Sequence, residues 1–396
     1  MRSDVRSAIA SPAFVLAGLA VCISLTFQIL LPVVPVVAER EGPHGIGGAA
    51  TAALFMGAVA GELLTPWLMS RLSSKRLLVS CQVLTAVPSL VYLFPHAAIW
   101  ALLAAASARG IGMGVVIVVS VAVLTELAPP HRRGTFIGYF GLALSAPGIF
   151  VPSIGVFLLA HGRADVDALI AVVSGLAGIA FALRIPDRPL HVVQASTNLR
   201  AAIRRPGLLV LFAGFILTSC SFGGVVTYAP VALPLEGLGS AATFLLVSGA
   251  ARAGTRWLAG VLGDRRPARH VLIGGMAVAL AGLVLLATNA GPVAVLIAAT
   301  AYGAGYGATQ TAAFLAMTER GMAADSGAIS ALWNSGIDLG SSLGGTLVGL
   351  AAAHYGYASA IWVLPLVMVT ALPLFLWPAP PIAHRRSGAE SYAVKS

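Results

Sequence analysis

Five ionisable residues lie inside long apolar stretches of this sequence, where a charged side chain is costly to bury. They are Glu62, Arg109, Arg252, Arg256 and Asp338. Charged residues within membrane-spanning helices are rare and usually serve a function. Burial away from water favours the neutral form of a carboxyl group, so Asp338 and Glu62 are candidates to bind protons or to recognise a charged substrate. The alternative for each charge is a structural ion pair or a hydrogen bond to helix backbone.

Polar and aromatic residues on the same stretches are candidates to contact a substrate, although each is equally suited to packing between helices. Aromatic rings suit flat or cationic organic compounds, through stacking and cation–π contacts. The candidates are Gln28, Tyr139, Tyr228, Tyr302, Tyr306, Gln310, Trp333 and Asn334.

The composition indicates which elements carry these residues. Of 396 residues, 58% are hydrophobic and only 10% are charged, and the mean hydropathy is +0.92. A soluble domain is about 25% charged, and disordered chains are poor in apolar residues, so both classes are excluded. A bilayer-crossing helix needs about 20 mostly apolar residues. A window of that length predicts twelve segments, with approximate bounds 13–37, 46–70, 77–95, 97–126, 135–160, 166–183, 207–233, 240–262, 271–288, 292–317, 327–352 and 359–377.

The basic residues indicate how these segments are oriented. Most of the 24 lysines and arginines lie in the loops that share a side with both termini, whereas only Arg40 and Arg163 lie in the opposite loops. Because cytoplasmic loops carry the excess of basic residues, we expect both termini in the cytoplasm. The net charge of +10 is therefore a topology signal, and nucleic-acid binding is not expected. Arginine far outnumbers lysine, which is typical of a GC-rich genome and favours a bacterial cytoplasmic (inner) membrane.

The two halves of the chain resemble each other. Ala108–Gly114 aligns with Ala301–Gly307, and both stretches are rich in glycine at the same spacing. The longest polar stretch separates six segments from six. We therefore expect an N-terminal bundle over 1–183, a cytoplasmic central loop over 184–206, and a C-terminal bundle with a short tail over 207–396.

Glu62 and Arg256 occupy equivalent positions in the two halves. Opposite charges at equivalent positions could approach each other across the interface. A salt bridge between them would form in one access state and break in the other.

No motif for another class of chemistry is present. The chain has no Gly-x4-Gly-Lys-Ser/Thr phosphate loop and no soluble domain to carry one, which excludes ATP-driven transport. Its three cysteines stand alone, and no His/Cys cluster has the spacing of metal ligands. No nucleophile–base pair is spaced for hydrolysis. We therefore expect no enzyme activity, no metal and no cofactor, with a proton gradient as the energy source.

Six plus six segments in parallel halves, joined by a basic loop, resemble the major facilitator superfamily of secondary transporters. The stretch Gly260–Arg266, which reads GVLGDRR, is similar to the cytoplasmic signature Gly-x-x-x-Asp-Arg of that family. The resemblance implies that Asp264 and Arg265 form part of a cytoplasmic gate. In the first half the corresponding basic residues, Arg71 and Arg76, are present, but a serine stands where the aspartate is expected.

Arg109, followed by glycine, resembles the arginine motif that the family carries in its fourth span. That motif is associated with proton coupling in the drug:proton antiporters of the superfamily. The resemblance implies that Arg109 modulates the charge of a nearby carboxylate such as Asp338.

The fifth segment matches the glycine–proline pattern of export-type members in part. Gly138, Pro152 and Gly155 fit the pattern, whereas Pro147 and Val151 replace glycines, and Pro147 adds a kink. The partial match favours export over uptake.

We therefore expect an all-α membrane protein of the major facilitator fold, with twelve transmembrane helices in two parallel-repeat six-helix bundles. The expected function is proton-coupled efflux of a small organic compound, a drug or a metabolite, by a monomer that works by alternating access. Alternatives are a metallophore or other metabolite exporter and a proton-coupled nutrient importer of the same fold. A non-transporting membrane sensor is the weakest alternative.

Overall fold

The computed structural model describes residues 12–94, 96–127, 133–188, 204–263, 265–321 and 326–377, and this part of the chain is helical and contains no β-strand. Twelve helices, α1 to α12, follow the twelve predicted segments. In chain order they are α1 (Pro12–Leu30, resuming as Val33–Glu41), α2 (Ile46–Met69), α3 (Ser74–Ala86, extended by the 3₁₀ turn Val87–Leu93), α4 (Ile99–Leu127), α5 (Arg133–Ser145, resuming as Pro147–Ala160), α6 (Ala164–Ala182), α7 (Pro206–Ala232), α8 (Ala241–Gly263), α9 (Ala268–Thr288), α10 (Pro292–Arg320), α11 (Ser326–Tyr355) and α12 (Tyr357–Ala360, resuming as Val363–Leu376).

Prolines explain why several helices are interrupted. A proline has no N–H to donate, and its ring clashes with the preceding turn. In α1 the break lies at Pro32, and in α3 the α-helix gives way to a 3₁₀ turn at Pro88. The break in α5 lies at Ala146, directly before Pro147, which is where the sequence predicts a kink.

Nine of the described helices are long and apolar enough to cross a membrane, judged by length and composition. The remaining three, α8, α10 and α11, are 23, 29 and 30 residues long and are more polar. They carry Arg252, Arg256, Gln310 and Asp338, so the polar groups of the second half are concentrated on three helices.

Each half of the chain buries its own hydrophobic core. Phe215, Phe244 and Met368 belong to one cluster, which is formed almost entirely by α7 to α12. Leu16 and Val116 belong to one of the two clusters formed by α1 to α6. The expected architecture of two helical bundles is confirmed.

The two bundles are in close contact at one end of the molecule, which we call the closed end. It carries the loops at 42–45 and 161–163. The backbone of α2 packs directly on that of α11, and a Cβ added to Gly48 would lie 2.7 Å from the Cα of Gly349. Nearby, Ser153 Oγ of α5 donates a hydrogen bond to the carbonyl oxygen of Ala242 of α8 at 2.7 Å.

The other end carries the arginine-rich loops at 70–73, 183–188 and 265–267, and we call it the basic end. Gly138, at the start of α5, has no other atom within 4 Å of an added Cβ, and the same holds for Gly254 and Gly260 on α8. The second half of α5 packs closely on α8, whereas its first half has few contacts with that helix. Helices α5 and α8 therefore diverge towards the basic end, and the space between the bundles opens on that side.

Candidate functional site

A cavity of about 360 Å³ lies between the two bundles. Helices α1, α2, α4 and α5 line it on one side, and α7, α8, α10 and α11 line it on the other. Its charged and polar lining residues are Gln28, Ser145, Arg252, Arg256, Gln310 and Asp338. A smaller space of about 30 Å³, which also borders Gln28 and Arg252, continues from it towards the closed end.

Two carboxyl groups from opposite bundles lie near each other beside this cavity, and one of them, Asp338, lines it. Glu62 of α2 accepts a hydrogen bond from Ser335 Oγ of α11 at 2.6 Å. Asp338 follows Ser335 by three residues and lies on the same face of α11, because residues three apart in a helix are neighbours. The carboxyl groups of Glu62 and Asp338 are close enough to interact electrostatically. The interface thus holds two acidic groups and one hydroxyl.

Two arginines of α8 face the same cavity. Arg252 and Arg256 are four residues apart and therefore share one helix face. The guanidinium of Arg252 lies 5.0 Å from the ring centroid of Phe222, and that of Arg256 lies 5.7 Å from the ring centroid of Trp333. Within the described residues, neither arginine pairs with a carboxylate. The salt bridge expected between Glu62 and Arg256 is therefore not formed in this conformation.

Aromatic rings line the cavity on its closed-end side. Phe222 stacks on Tyr306, and Tyr306 stacks on Tyr302, with ring centroids 5.8 Å apart in each pair and interplanar angles of 6° and 10°. From the first bundle, Phe55 meets Phe222 edge-on at 6.4 Å, and Phe27 meets Phe55 at 6.2 Å. The rings therefore form a continuous apolar surface across both bundles.

Gln28 and Gln310 line the cavity, as the sequence predicts, whereas Trp333 lies behind the lining, against Arg256 and Gln310. Gln28 approaches Gly148 at the break in α5. Trp333 Nε1 donates a hydrogen bond to the carbonyl oxygen of Gln310 at 2.9 Å. The side-chain oxygen of Gln310 is buried and has no hydrogen-bond partner among the described residues.

Arg109 does not lie beside Asp338. Its side chain is 1% exposed inside the first bundle, where Nη2 donates a hydrogen bond to the carbonyl oxygen of Thr26 at 3.0 Å and the guanidinium lies 5.7 Å from the ring centroid of Tyr92. Gly110, the next residue, packs against the backbone of α2. This packing turns Arg109 towards α1 and α3, away from the cavity between the bundles.

Three other predicted contacts also lie elsewhere. Tyr139 is 64% exposed on the first half of α5, and Tyr228 is buried in the core of the second bundle. Asn334 donates a hydrogen bond to the carbonyl oxygen of Ser330, one turn earlier on its own helix. None of the three lines the cavity.

The glycines and prolines of α5 contribute to its packing. Gly155 approaches the carbonyl oxygen of Ile29 on α1 so closely that a side chain would clash, and Pro152 borders the smaller space. Gly138 faces open space. The second half of α5 is therefore held against α1 and α8, while its first half is free of α8.

A hydrogen-bond network at the closed end joins the bundles. Glu39 accepts hydrogen bonds from the backbone N–H groups of Gly45 and Gly47, at 2.8 and 3.0 Å, and from Tyr357 Oη of α12 at 2.9 Å. Because Tyr357 belongs to the second bundle, this contact breaks when the closed end opens. Sequence analysis does not identify it, since Glu39 lies beyond the apolar stretch of α1.

At the basic end, the expected gate is only partly within the described residues. Arg71, Arg76 and Arg265 are exposed there. Arg71, just beyond the end of α2, lies 5.2 Å from the ring centroid of Trp67 on that helix. Asp264, the acidic member of the expected gate, lies outside the described residues.

Two residues of the site escape sequence analysis. Ser335 is the donor to Glu62, and its position one turn before Asp338 is the signal that could have identified it. Phe222 borders both the cavity and the smaller space, but a phenylalanine in an apolar helix carries no such signal. No group of three or more His, Cys, Asp or Glu side chains within the described ranges could hold a metal ion.

Two helical bundles around a central polar cavity define a polytopic membrane protein of the transporter type. The sequence model of the Major Facilitator Superfamily matches residues 16–344, and the chain belongs to this family. No curated protein sequence matches it.

Solved structures of transporters share the fold. The nucleoside transporter NupG superposes with a TM-score of 0.74 at 11% identity, covering 92% of this chain and 99% of NupG. A D-xylose–proton symporter gives 0.72 at 16% identity, with 93% and 97% covered. An inward-facing, unoccupied bacterial homolog of the human lysosomal transporter Spinster gives 0.64 at 14% identity, with 93% and 96% covered. At these identities the likeness concerns the fold.

Proposed function

We propose that this protein is a proton-coupled secondary transporter of a small organic compound, in which Glu62 and Asp338 together bind the coupling proton. The observation that carries the proposal is the proximity of these two carboxyl groups, one from each bundle, at the point where Ser335 joins α11 to Glu62 and Asp338 lines the central cavity. Burying two carboxyl groups that share one proton costs far less free energy than burying two ionised carboxylates side by side.

The position of the pair explains how proton binding would act on the conformation. Glu62 lies on α2 and Asp338 on α11, the two helices whose backbones are in contact at the closed end. With a proton bound, the pair tolerates the close approach of α2 and α11. With both groups ionised, repulsion in a low-dielectric interface favours their separation. Loss of the proton therefore favours opening of the closed end.

Other charged and titratable groups face the same cavity. Arg252 and Arg256 approach it from α8, and Tyr302 and Tyr306 of α10 border the smaller space next to it. Arg109, on α4, is turned away. Within the described residues, neither arginine forms an ion pair with Glu62 or Asp338 in this conformation.

We further propose that the basic end faces the cytoplasm of a bacterium and that the protein acts as a monomer. The excess of arginine in the loops at this end supports the orientation. In this orientation the cavity opens inward, and alternating access requires the bundles to separate at the closed end.

Export of the substrate against protons is one mode of coupling, and the glycine–proline pattern of α5 supports it. Transport of substrate and proton in the same direction is the second mode, and the unpaired Arg252 and Arg256 support it. A cationic substrate competes with protons for the carboxyl pair, whereas an anionic one binds better once the pair is protonated. The charge of the substrate therefore determines the sign of the coupling.

Proteoliposomes that enclose a pH-sensitive fluorophore provide the test. A panel of lipophilic cations, antibiotics, sugars, metal chelates and aromatic sulfonates is added outside, and substrate-dependent proton movement is recorded. We expect at least one compound to move protons through the wild-type protein. Glu62→Gln and Asp338→Asn should each abolish the proton movement, while Glu236→Gln, at an exposed glutamate of the closed end, should leave it unchanged.

Proton movement that persists in both cavity variants would overturn the assignment of the carboxyl pair. Absence of proton movement for every compound, with the inserted protein still exchanging one of them across the membrane, would overturn proton coupling itself.

A further inference from the structure

We propose that the central cavity binds a small organic anion with a flat aromatic or apolar body. The inference rests on the proposed function, which makes this cavity the substrate site, and it adds the chemical class of the substrate. Carboxylate, sulfonate and phosphate groups share the chemistry that the site recognises.

The first observation is the unmatched positive charge of α8. Arg252 and Arg256 line the cavity, and neither guanidinium has a carboxylate or other hydrogen-bonding partner among the described residues. Each guanidinium carries five N–H donors in a planar fork that fits a carboxylate or phosphate. A cationic substrate would be repelled by both arginines. A neutral substrate would leave both charges without a counter-charge.

The second observation is the convergence of donors from both bundles on one point. A Cβ added to Gly148, at the break in α5, would lie 3.0 Å from Nε2 of Gln28 and 3.9 Å from Nη2 of Arg252. Gln28 belongs to the first bundle and Arg252 to the second. An anionic group beside Gly148 would accept hydrogen bonds from both, and the absence of a side chain at that glycine leaves room for it.

The third observation concerns the body of the ligand. Phe222 lies under the guanidinium of Arg252 and stacks on Tyr306, and Trp333 lies under the guanidinium of Arg256. Each arginine is thus held by a ring on one side and has its N–H edge available to the cavity. A ligand with an anionic head and a flat apolar tail matches this arrangement, because the tail packs on the aromatic surface while the head pairs with the arginines.

The carboxyl pair makes the binding of this anion dependent on protonation. If Glu62 and Asp338 are ionised, they offset the charges of Arg252 and Arg256 and repel an anion. Protonation of the pair leaves the positive charge of the arginines uncompensated. Anion and proton therefore bind cooperatively, and the proposal predicts that they move in the same direction.

Titration calorimetry of the full-length protein in lipid nanodiscs tests the class of ligand with three probes of similar shape, which are benzoate, benzamide and benzylammonium. We expect benzoate to bind at least about tenfold more tightly than benzamide, because it adds a charge-assisted hydrogen bond. Benzylammonium should not bind. Arg252→Gln and Arg256→Gln should each weaken benzoate binding at least tenfold and leave benzamide binding unchanged. Arg266→Gln, at an exposed arginine of the basic end, is the matched control.

Thermal melting separates loss of binding from loss of folding, and Arg252→Lys, which keeps the charge, should retain part of the benzoate affinity. Folded wild-type protein that fails to bind benzoate, or that binds benzoate and benzamide equally, would overturn the proposal. So would benzoate affinity that is unchanged in both arginine variants.

The two proposals can fail separately. Asp338→Asn should lose proton movement but bind benzoate at least as tightly as wild type, because the substitution removes a negative charge from the cavity. Anion selectivity with no proton coupling would overturn the proposed function alone, whereas proton coupling to a cation or a sugar would overturn the anion class alone.

Discussion

The hydrogen bond from Ser335 to Glu62 joins the two bundles at the carboxyl pair. A hydroxyl donor at 2.6 Å stabilises an ionised carboxylate more than a neutral one, because charge-assisted hydrogen bonds are the stronger ones. In the proposed role of the pair as the proton-binding site, the serine helps to set the pH at which the pair releases its proton.

Substitution Ser335→Ala should move the pH profile of proton-coupled transport to higher pH by up to about one unit, because one such bond contributes on the order of 1.4 kcal/mol. The fluorophore assay in proteoliposomes, repeated across pH, measures the shift. Ser330→Ala, at an exposed serine of the same helix, should leave the profile in place. A profile unchanged in Ser335→Ala would show that the bond has no part in proton release.

Arg109, in contrast to Glu62, is a fully buried charge whose side chain leaves most of its hydrogen-bond donors without a partner. Its Nε and Nη1 atoms have no hydrogen-bond partner among the described residues, and an uncompensated buried charge destabilises a fold. Arg109→Met, of similar length and apolar, should therefore raise the melting temperature, by about 2 °C or more. A fall in melting temperature would contradict this, and it would point to a partner that stabilises the guanidinium.

At the scale of elements, the crossing of α2 and α11 determines how tightly the closed end shuts. The crossing depends on glycines, because a Cβ on Gly48 would meet the backbone of Gly349 at 2.7 Å. Glu62 and Asp338 lie further along the same two helices. Movement of α2 away from α11 therefore also separates their carboxyl groups.

Gly48→Ala should force α2 from α11 and lower the melting temperature by several degrees. Gly254→Ala is the matched control, since nothing lies within 4 Å of the added Cβ. In a helix interior the control substitution should raise stability by about 0.5–1 kcal/mol. Equal effects of the two substitutions would show that the crossing does not depend on close backbone contact.

The hydrogen bond between Tyr357 and Glu39 holds the closed end from the side of α12. Tyr357→Phe removes only the hydroxyl, and loss of a hydrogen bond to a charged acceptor corresponds to about tenfold in an equilibrium constant. Spin labels are placed at Arg163→Cys and Leu238→Cys, one on each bundle at the closed end. In Tyr357→Phe they should report a larger population of long label-to-label distances than in the wild-type background. Tyr355→Phe, at a residue 77% exposed, should give the wild-type distribution. An identical distribution in Tyr357→Phe would exclude the bond as a determinant of closure.

The elements were largely predictable from sequence, and the site only in part. Apolar segments of bilayer length and glycine repeats mark helices directly, because the bilayer admits few other structures. The same pattern does not tell which face of a helix a charge lies on. Arg109 and Arg252 both lie within segments predicted to cross the membrane, yet one is enclosed in its bundle and the other lines the cavity. The packing of Gly110 on α2 decides the direction of Arg109, and that contact depends on another part of the chain.

At the scale of the whole molecule, the closed end, the carboxyl pair and the cavity form one system. Close contact of α2 with α11 and of α5 with α8 shuts one end, and the divergence of α5 from α8 opens the other. The carboxyl pair lies between the closed end and the basic end. A change in its charge therefore acts on the contact between the two bundles. In the function proposed for this protein, Glu62 and Asp338 hold the proton that drives the exchange of access.

Infrared difference spectroscopy of the protein in lipid, titrated over about pH 6 to 9, measures this proton most directly. Exposed carboxyl groups remain ionised in that range because their usual pKa is about 4. We expect a carbonyl band of a protonated carboxyl that disappears as the pH rises and that is lost in the double variant Glu62→Gln, Asp338→Asn. Asp167→Asn, at a second buried carboxyl without a hydrogen-bond partner in the described chain, controls for a separate band. If the titrating band persists in the double variant, the pair does not carry the proton.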